Sequence, residues 1–430
     1  MSLSDSVKER LTALFRATIA QLDPARRVRE ALGELAWSAE EVVIVAVGKA
    51  ATTMANGAME HWLAEARPAG AMRGLVIAPP GGPVARPGLT VMTASHPVPD
   101  QQSVAAAQAA KDAVSGAGDA GILVLVSGGA SSLMALPAPG ISLADKVDTV
   151  NAVVASGADI LAINTVRKHL SAIKGGRLAE TAPAPITTLV TSDVIGDDVA
   201  TVGSGPTVPD PTTYRQACDI VASGVGWNSV PRSVRDHLEL GASGQWPETP
   251  SVERPGDRVL LIAGTGALID AARDSAAQTG MVTRVFARDI DENVADVASR
   301  VSAQVHRLSA AQPPQPHCLI GGGEPTIALA RSPGRGGRAQ HLALLVARDI
   351  AGIDNVSVLV AGSDGMDGSG HAAGAIVDGT TWQGISRKGI DPVSALDQCD
   401  SHTALHAVGA DLITGPTGVN HADLIVIMGG

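Results

Sequence analysis

Short unbroken apolar runs, each closed by glycine and a polar residue, alternate along this chain with stretches in which apolar residues recur every three to four positions. The runs are VVIVAVGK (42–49), LVLVSGGASS (123–132), VLLIAGTG (259–266), CLIGGGE (318–324) and VLVAGSDG (358–365). An unbroken run of this length reads as a strand buried on both faces, as in parallel sheets, and the three-to-four spacing reads as amphipathic helix. The first helices are expected over residues 4–33, where Val7, Leu11, Leu14, Phe15, Ile19 and Leu22 keep helical spacing, and a long helical region over 142–180. Alternating strands and helices predict an α/β protein. If the runs are parallel strands, their polar tips gather along one edge of each sheet, where open α/β sheets bind ligands.

Two stretches break the alternation. Residues 192–211 are rich in Gly, Pro and Asp and are expected as an irregular loop with a role in function or motion. Residues 223–257 hold Pro231, Pro247, Pro250 and Pro255 and read as a domain linker, after which Val259 begins a second series of strands.

Composition narrows the possibilities. With 430 residues the chain is long enough for two or three domains. Hydrophobic residues make up 45% but aromatic residues only 2%, so the cores are built from Ala, Val, Leu and Ile. A formal net charge of −11, with no long basic cluster and few aromatic rings, argues against a nucleic-acid partner. No apolar run reaches membrane-spanning length. Cys218, Cys318 and Cys399 are too few and too scattered for a disulfide framework or a zinc site. With no signal-peptide pattern at the start, a reducing cytoplasm is the expected compartment.

The candidate chemistry sits at the strand tips. In the loop Ser127, Gly128, Gly129, Ala130, Ser131 and Ser132, glycines permit a tight turn and the hydroxyls are placed as cap residues of a following helix. That loop is either a plain turn or a cradle for phosphate or carboxylate. Lys49, after Gly48, reads as a cation at a helix start that grips an anion, since such a charge opposes the helix dipole. Asp193, Asp197 and Asp198 share one loop, and Asp364 and Asp367 another. Such carboxylates suit Mg²⁺ beside substrate phosphates, or serve their own turns. Arg335 and Arg338 flank glycines at a helix start and can fork onto an anion. His96, His169, His371 and His421 match no metal spacing and are expected to be structural. The chain has no G-x-x-x-x-G-K-[ST] and no early G-x-G-x-x-G.

Taken together and in order, VGKA (47–50), SHPVPD (95–100), LVSGGASSLM (125–134), NTVRKHLSAIKGGRLA (164–179), SDVIGDDVATVGSGPTVPDPTT (192–213), GGGEPT (321–326), GRGGRAQ (334–340), SDGMDG (363–368) and TGPTG (414–418) resemble the class II glycerate kinases, the glycerate 2-kinase or MOFRL family. The resemblance implies an ATP-dependent, Mg²⁺-assisted kinase that phosphorylates the C2 hydroxyl of D-glycerate. It implies a larger Rossmann-like N-terminal domain with a mainly parallel sheet, taken as 1–240, and a MOFRL-type α/β domain, taken as 256–430, with the active site in the cleft between them.

The resemblance places the family's active-site lysine on Lys49 and the arginine of its G-G-R motif on Arg338, and these two are expected to hold the acceptor carboxylate and the transferring phosphoryl group. Asp193 is the candidate base. The 127–132 loop (Ser127, Gly128, Gly129, Ser131 and Ser132), with Glu324, binds the nucleotide, and Asp193 and Asp198 are candidate metal ligands. The partners are then D-glycerate and ATP, with neither nucleic acid nor membrane, and a homodimer is held open. Ala339, His341, Gly370 and His371 depart from the family pattern, which leaves a related hydroxy or sugar acid as an alternative acceptor. They are also the sole support for a non-catalytic acid-binding protein. Some family members carry the name hydroxypyruvate reductase, which keeps a reductase as an alternative activity although no hydride-cofactor fingerprint occurs.

Overall fold

The computed structural model describes residues 3–37, 39–82, 87–311 and 315–429. Strands β1 (Val42–Val47), β2 (Met72–Ala78), β3 (Leu89–Thr93), β4 (Gly121–Val126), β5 (Ile186–Thr191) and β6 (Arg258–Ala263) form one sheet in the order β3-β2-β1-β4-β5-β6. The pairings β2–β3, β1–β2, β1–β4 and β4–β5 are all parallel. Every residue of β1, and Ile122 through Val126 of β4, is buried, as their unbroken apolar runs require. Each such side chain contributes about 1.5–3 kcal/mol by leaving water.

Strands β7 (Val282–Ile290), β8 (His317–Gly323), β9 (Val356–Gly362), β10 (Gly374–Asp378), β11 (Asp411–Leu412) and β12 (Asp423–Gly429) form the second sheet, ordered β11-β10-β9-β12-β8-β7. This sheet is mixed. β7 and β8 are parallel, whereas β12 runs antiparallel to both β8 and β9, and β10 antiparallel to β9 and β11. The expectation of polar tips at carboxyl ends alone is therefore incomplete here: Asp423 opens β12 directly opposite Gly323 of β8 and Gly362 of β9.

The chain divides into two compact units, and neither is continuous. One comprises Pro24–Ser192 and Asp198–Ile262; the other comprises the described residues through Asp23, Asp193–Asp197 and Ala263 onward. The division differs from the expected 1–240 and 256–430. Leu11, Leu14, Phe15 and Ile19 of the first helix (Leu3–Gln21), with Leu22 just after it, pack with Leu268, Ile320, Leu359 and Leu424, so that helix belongs to the mixed-sheet unit. β6, expected to begin the second series of strands, instead completes the edge of the first sheet beside β5.

The proline-rich stretch 223–257 is not a bare linker. Arg232–Ala242 is a helix whose Val234 and Leu238 are buried with Val166, Leu170 and Tyr214. Pro231 stands just before its first turn, where a missing N–H costs nothing. The 192–211 loop is likewise packed, with Val202 through Thr207 buried. Asp210 anchors its end by accepting from Lys168 Nζ (3.3 Å) and Thr249 Oγ1 (3.1 Å).

Candidate functional site

In the parallel-sheet unit the tips of β1 and β4 are joined by their own backbone. Lys49 N–H donates to Gly128 O (2.8 Å), and Ala50 N–H donates to Ser127 Oγ (3.1 Å). Gly48 has φ +125°, and a Cβ there would lie 2.1 Å from Ser127 Oγ, so only glycine allows this approach. Gly129 has φ +83°, and a Cβ would press on the His96 ring at 3.0 Å and on Lys49 Cγ at 3.3 Å. Burial and then the Lys49 charge hold the His96 pKa below its ordinary value.

The helix after this turn is a single turn, Ala130–Leu133, and Gly129 precedes it without any side-chain cap. The serines are thus not caps, contrary to the sequence expectation. Ser131 and Ser132 lie inside the turn, and Ser132 Oγ donates to Gly129 O (3.1 Å). So short a helix offers no dipole of consequence. Charged side chains beside the turn can add to what its backbone offers an anion.

Those side chains are present. A cavity of about 270 Å³ opens beside the loop, bordered by His96, Ser131, Ser132, Lys146, Arg167 and Lys174 with an apolar wall that includes Val98 and Val147. Lys174 Nζ donates to Ser131 Oγ (3.2 Å) and Gly203 O (3.1 Å). Ser131 Oγ lies 3.0 Å from Ser204 Oγ, which donates to Asn164 Oδ1 (2.9 Å). Lys146 Nζ is buried and has no hydrogen-bond partner among the described residues. Burial, then Arg167 and Arg177, bring its pKa down to about 7. Burial, then Lys146 and Arg167, lower that of Lys174 strongly.

In the mixed-sheet unit a cavity of about 470 Å³ has the opposite lining, with Glu324, Asp364, Asp367 and Asp423 around Arg338. Arg338 is the first residue of the helix Arg338–Asp349. Its Nε donates to Asp423 Oδ2 (2.7 Å), and its Nη2 to Glu324 Oε1 (2.8 Å) and Asp423 Oδ1 (3.4 Å). Burial opposes the Arg338 charge, but Asp423 and Glu324 outweigh it and raise its pKa. Burial pushes Asp423 up to about 6; Arg338 pulls the other way, and Asp367 and Glu324 add to the rise. Asp367 closes the helix start by accepting from Gly337 N (3.1 Å), Ala339 N (3.0 Å) and Gln340 N (2.8 Å).

The candidate residues from sequence thus fall into separate groups. Lys49, exposed, adjoins Ser127, Gly128 and Gly129, and Arg338 adjoins Glu324. Asp193 lies half-buried just beyond β5. Asp198 is exposed, and its carboxylate accepts from Ala200 N (3.0 Å) and Thr201 Oγ1 (2.8 Å), the Asx-turn alternative. Asp197 does the same for a helix start, accepting from Thr265 N (3.0 Å) and Gly266 N (2.9 Å).

Among the described residues no group of three or more His, Cys, Asp or Glu side chains is arranged to hold a metal ion. Sequence reasoning missed Asp423 and Lys146. Asp423 could have been noticed as an acid directly before the apolar run LIVIM, and Lys146 as a lone cation on the face of a helix with buried Thr149 and Val153.

Comparison with known proteins agrees with this architecture. A family profile described as a domain of unknown function, DUF4147, matches residues 10–239, and the MOFRL family profile matches 317–423. The chain is 35% identical to a D-glycerate 2-kinase of Thermotoga maritima, over 98% of each chain. It is 36% identical to a glycerate 2-kinase of Pyrococcus horikoshii, over 90% of this chain and 87% of the other. A protein of Agrobacterium vitis that carries the name hydroxypyruvate reductase is 36% identical over 99% of this chain and 95% of its own. Among solved structures, a glycerate kinase from Thermotoga maritima superposes with TM-score 0.90 at 34% identity, covering 99% of this chain and 100% of that one.

Proposed function

The chain belongs to the glycerate 2-kinase family, built of DUF4147 and MOFRL domains, and we propose that it phosphorylates the C2 hydroxyl of D-glycerate with ATP. The observation that carries this reading is the similarity to a D-glycerate 2-kinase over 98% of both chains. Phosphoryl transfer depends on positioning and charge neutralisation more than on covalent chemistry of the protein. A lysine at a strand tip and an arginine at a helix start suit that demand.

In this reading Arg338 orients the acceptor acid. Nε and Nη2 are held by Asp423 and Glu324, and the remaining Nη1 donors are directed at the acid's carboxylate. Lys49 neutralises charge on the transferring phosphoryl group. Asp193 takes the proton of the C2 hydroxyl, a role expected to show as a loss of kcat with little change in KM in Asp193→Asn. Mg²⁺ is assigned to the nucleotide rather than to a resident site. The acidic groups here are already engaged, Asp423 and Glu324 with Arg338, Asp367 with amides and Asp198 with its own turn. Among the described residues no helix is long and apolar enough to cross a membrane, and a cytoplasmic enzyme fits the proposed substrates.

The test is ADP release from ATP on addition of D-glycerate, with related hydroxy acids and sugar acids in parallel. D-glycerate is expected to give the highest kcat/KM. Turnover of another acid in its place would move the substrate assignment. The name borne by the Agrobacterium vitis relative gives a second reading, a reductase of hydroxypyruvate. Hydroxypyruvate-dependent oxidation of NADH or NADPH, followed spectrophotometrically, would establish it; none is expected.

A further inference from the structure

The stretch NTVRKHLSAIKGGRL carries several cations, and the fold sorts them into two sets. Lys168 is paired with Asp210 at 3.3 Å, and Arg177 donates to Lys168 O (2.9 Å) and Tyr214 Oη (3.2 Å); both are structural. Arg167 and Lys174 instead border the cavity of about 270 Å³, where Lys146 joins them from the helix Leu143–Ala155. Among the described residues none that borders that cavity is acidic. Lys146 Nζ, 5% exposed as a residue, has no hydrogen-bond partner among the described residues, and Lys174 Nζ has the neutral partners Ser131 Oγ and Gly203 O. Burying two amines that lack an acidic partner beside a guanidinium is unfavourable, and protonating them there adds repulsion unless an anion is present. A fold keeps such an arrangement where an anion of matching charge completes it.

The remaining wall identifies the anion further. Pro97, Val98, Pro99, Val147 and Val150 line the same cavity, and Val98 is 56% exposed. A three-carbon hydroxy acid has almost no apolar surface to place against them, whereas a nucleotide joins a polyphosphate chain to a flat, largely apolar base. We propose that this cavity is the polyphosphate-binding pocket of the nucleotide, with Lys146, Arg167 and Lys174 on the phosphate oxygens, Ser131 and Ser132 beside them, and the apolar wall toward the nucleoside. The assignment rests on the kinase reading and deepens it. It moves nucleotide recognition from the backbone of the 127–132 loop to three cations, two of which lie in the 164–178 stretch.

The test is calorimetric titration of the full-length protein with ADP, with inorganic tripolyphosphate and with D-glycerate. Tripolyphosphate is expected to bind and to compete with ADP. Arg167→Met, at a half-buried position, and Lys146→Met are each expected to weaken ADP binding at least tenfold and to change the KM for D-glycerate less than twofold. Arg167→Lys is expected to restore part of the ADP affinity. Unchanged ADP affinity in folded Arg167→Met and Lys146→Met overturns the proposal. So does a loss that falls on D-glycerate rather than ADP, or a failure of tripolyphosphate to compete.

A measurement on the unaltered protein guards against misfolded variants. ADP and tripolyphosphate should each slow amide hydrogen exchange over residues 143–155 and 164–174, read by peptide mass spectrometry; exchange there that neither ligand changes counts against the proposal. The two readings fail separately. A protein that binds ADP here but phosphorylates no hydroxy acid sinks the kinase assignment alone. One that phosphorylates D-glycerate with ADP affinity unmoved by these variants sinks the pocket alone.

Discussion

The cavity beside the 127–132 loop and the cavity around Arg338 solve opposite electrostatic problems. In the first, Lys146, Arg167 and Lys174 meet without a carboxylate. In the second, Arg338 is held by Asp423 and Glu324 with Asp364 and Asp367 close by, so that negative charge is in excess. The contrast extends to geometry. Arg338 is fixed by carboxylate acceptors at 2.7 and 2.8 Å, a preorganised fork, whereas Lys146 Nζ has no hydrogen-bond partner among the described residues. A fixed guanidinium orients a small acid, and an uncompensated cluster of cations takes up an anion that brings its own charge. The difference teaches that the glycine loops play different parts: in the parallel-sheet unit the charge comes from Lys146 and Arg167 on helices and Lys174 in a turn, whereas in the mixed-sheet unit the glycine loops themselves carry Glu324, Asp364 and Asp367 and β12 adds Asp423.

The largest expected effect breaks the fixed fork. Arg338→Met leaves Asp423 and Glu324 without their partner, and kcat/KM for D-glycerate should fall at least a hundredfold in steady-state assays, with a lower melting midpoint. Next comes the loop that separates Lys49 from His96. Gly129→Ala places a Cβ 3.0 Å from the His96 ring at φ +83° and should cost about 1–2 kcal/mol, read as a lower denaturant midpoint with unchanged slope.

Two pH profiles then sharpen the contrast between the cavities. Lys146 has a folded pKa of about 7 against an ordinary 10.5, so between those values the unfolded chain binds more protons and stability rises with pH. Arg167, Arg177 and Lys174 face the same ammonium, and their charges add to the effect. Lys146→Met should remove that slope and raise the ligand-free melting midpoint at pH 7. Asp423 behaves with the opposite sign. Its folded pKa of about 6 exceeds the ordinary 3.8, so the folded state binds more protons between them, and this group's contribution to stability declines as pH rises through that window. As pH falls through about 6, protonation also weakens its hold on Arg338. The acidic limb of kcat/KM should therefore lie near pH 6 and be lost in Asp423→Asn.

Much of the fold was legible because buried parallel strands announce themselves as unbroken apolar runs, and β1, β4 and β9 lie where VVIVAV, ILVLV and VLVA predicted them. The partition of the chain was less so. Pro231 looked like a breaker, yet it precedes a helix held by Val234 and Leu238, and nothing in the first helix's spacing tells which sheet its apolar face covers.

At the candidate site, Arg338 beside Glu324 was readable from the glycine loops that carry them. Asp423 was not, because its place opposite Gly323 and Gly362 depends on the direction of β12. The serines of the 127–132 loop were read as helix caps because residue type alone does not reveal that Gly129 takes that position with φ +83°. Lys146 lies on an ordinary amphipathic helix, and only the packing shows that its ammonium lacks a partner.

The most direct measurement is phosphorus NMR of the products formed from ATP, Mg²⁺ and D-glycerate by the intact protein. The account predicts a new phosphomonoester coupled to a single proton, as at C2. A phosphomonoester coupled to two protons, as at C3, or no new phosphomonoester beside consumed D-glycerate, would contradict it.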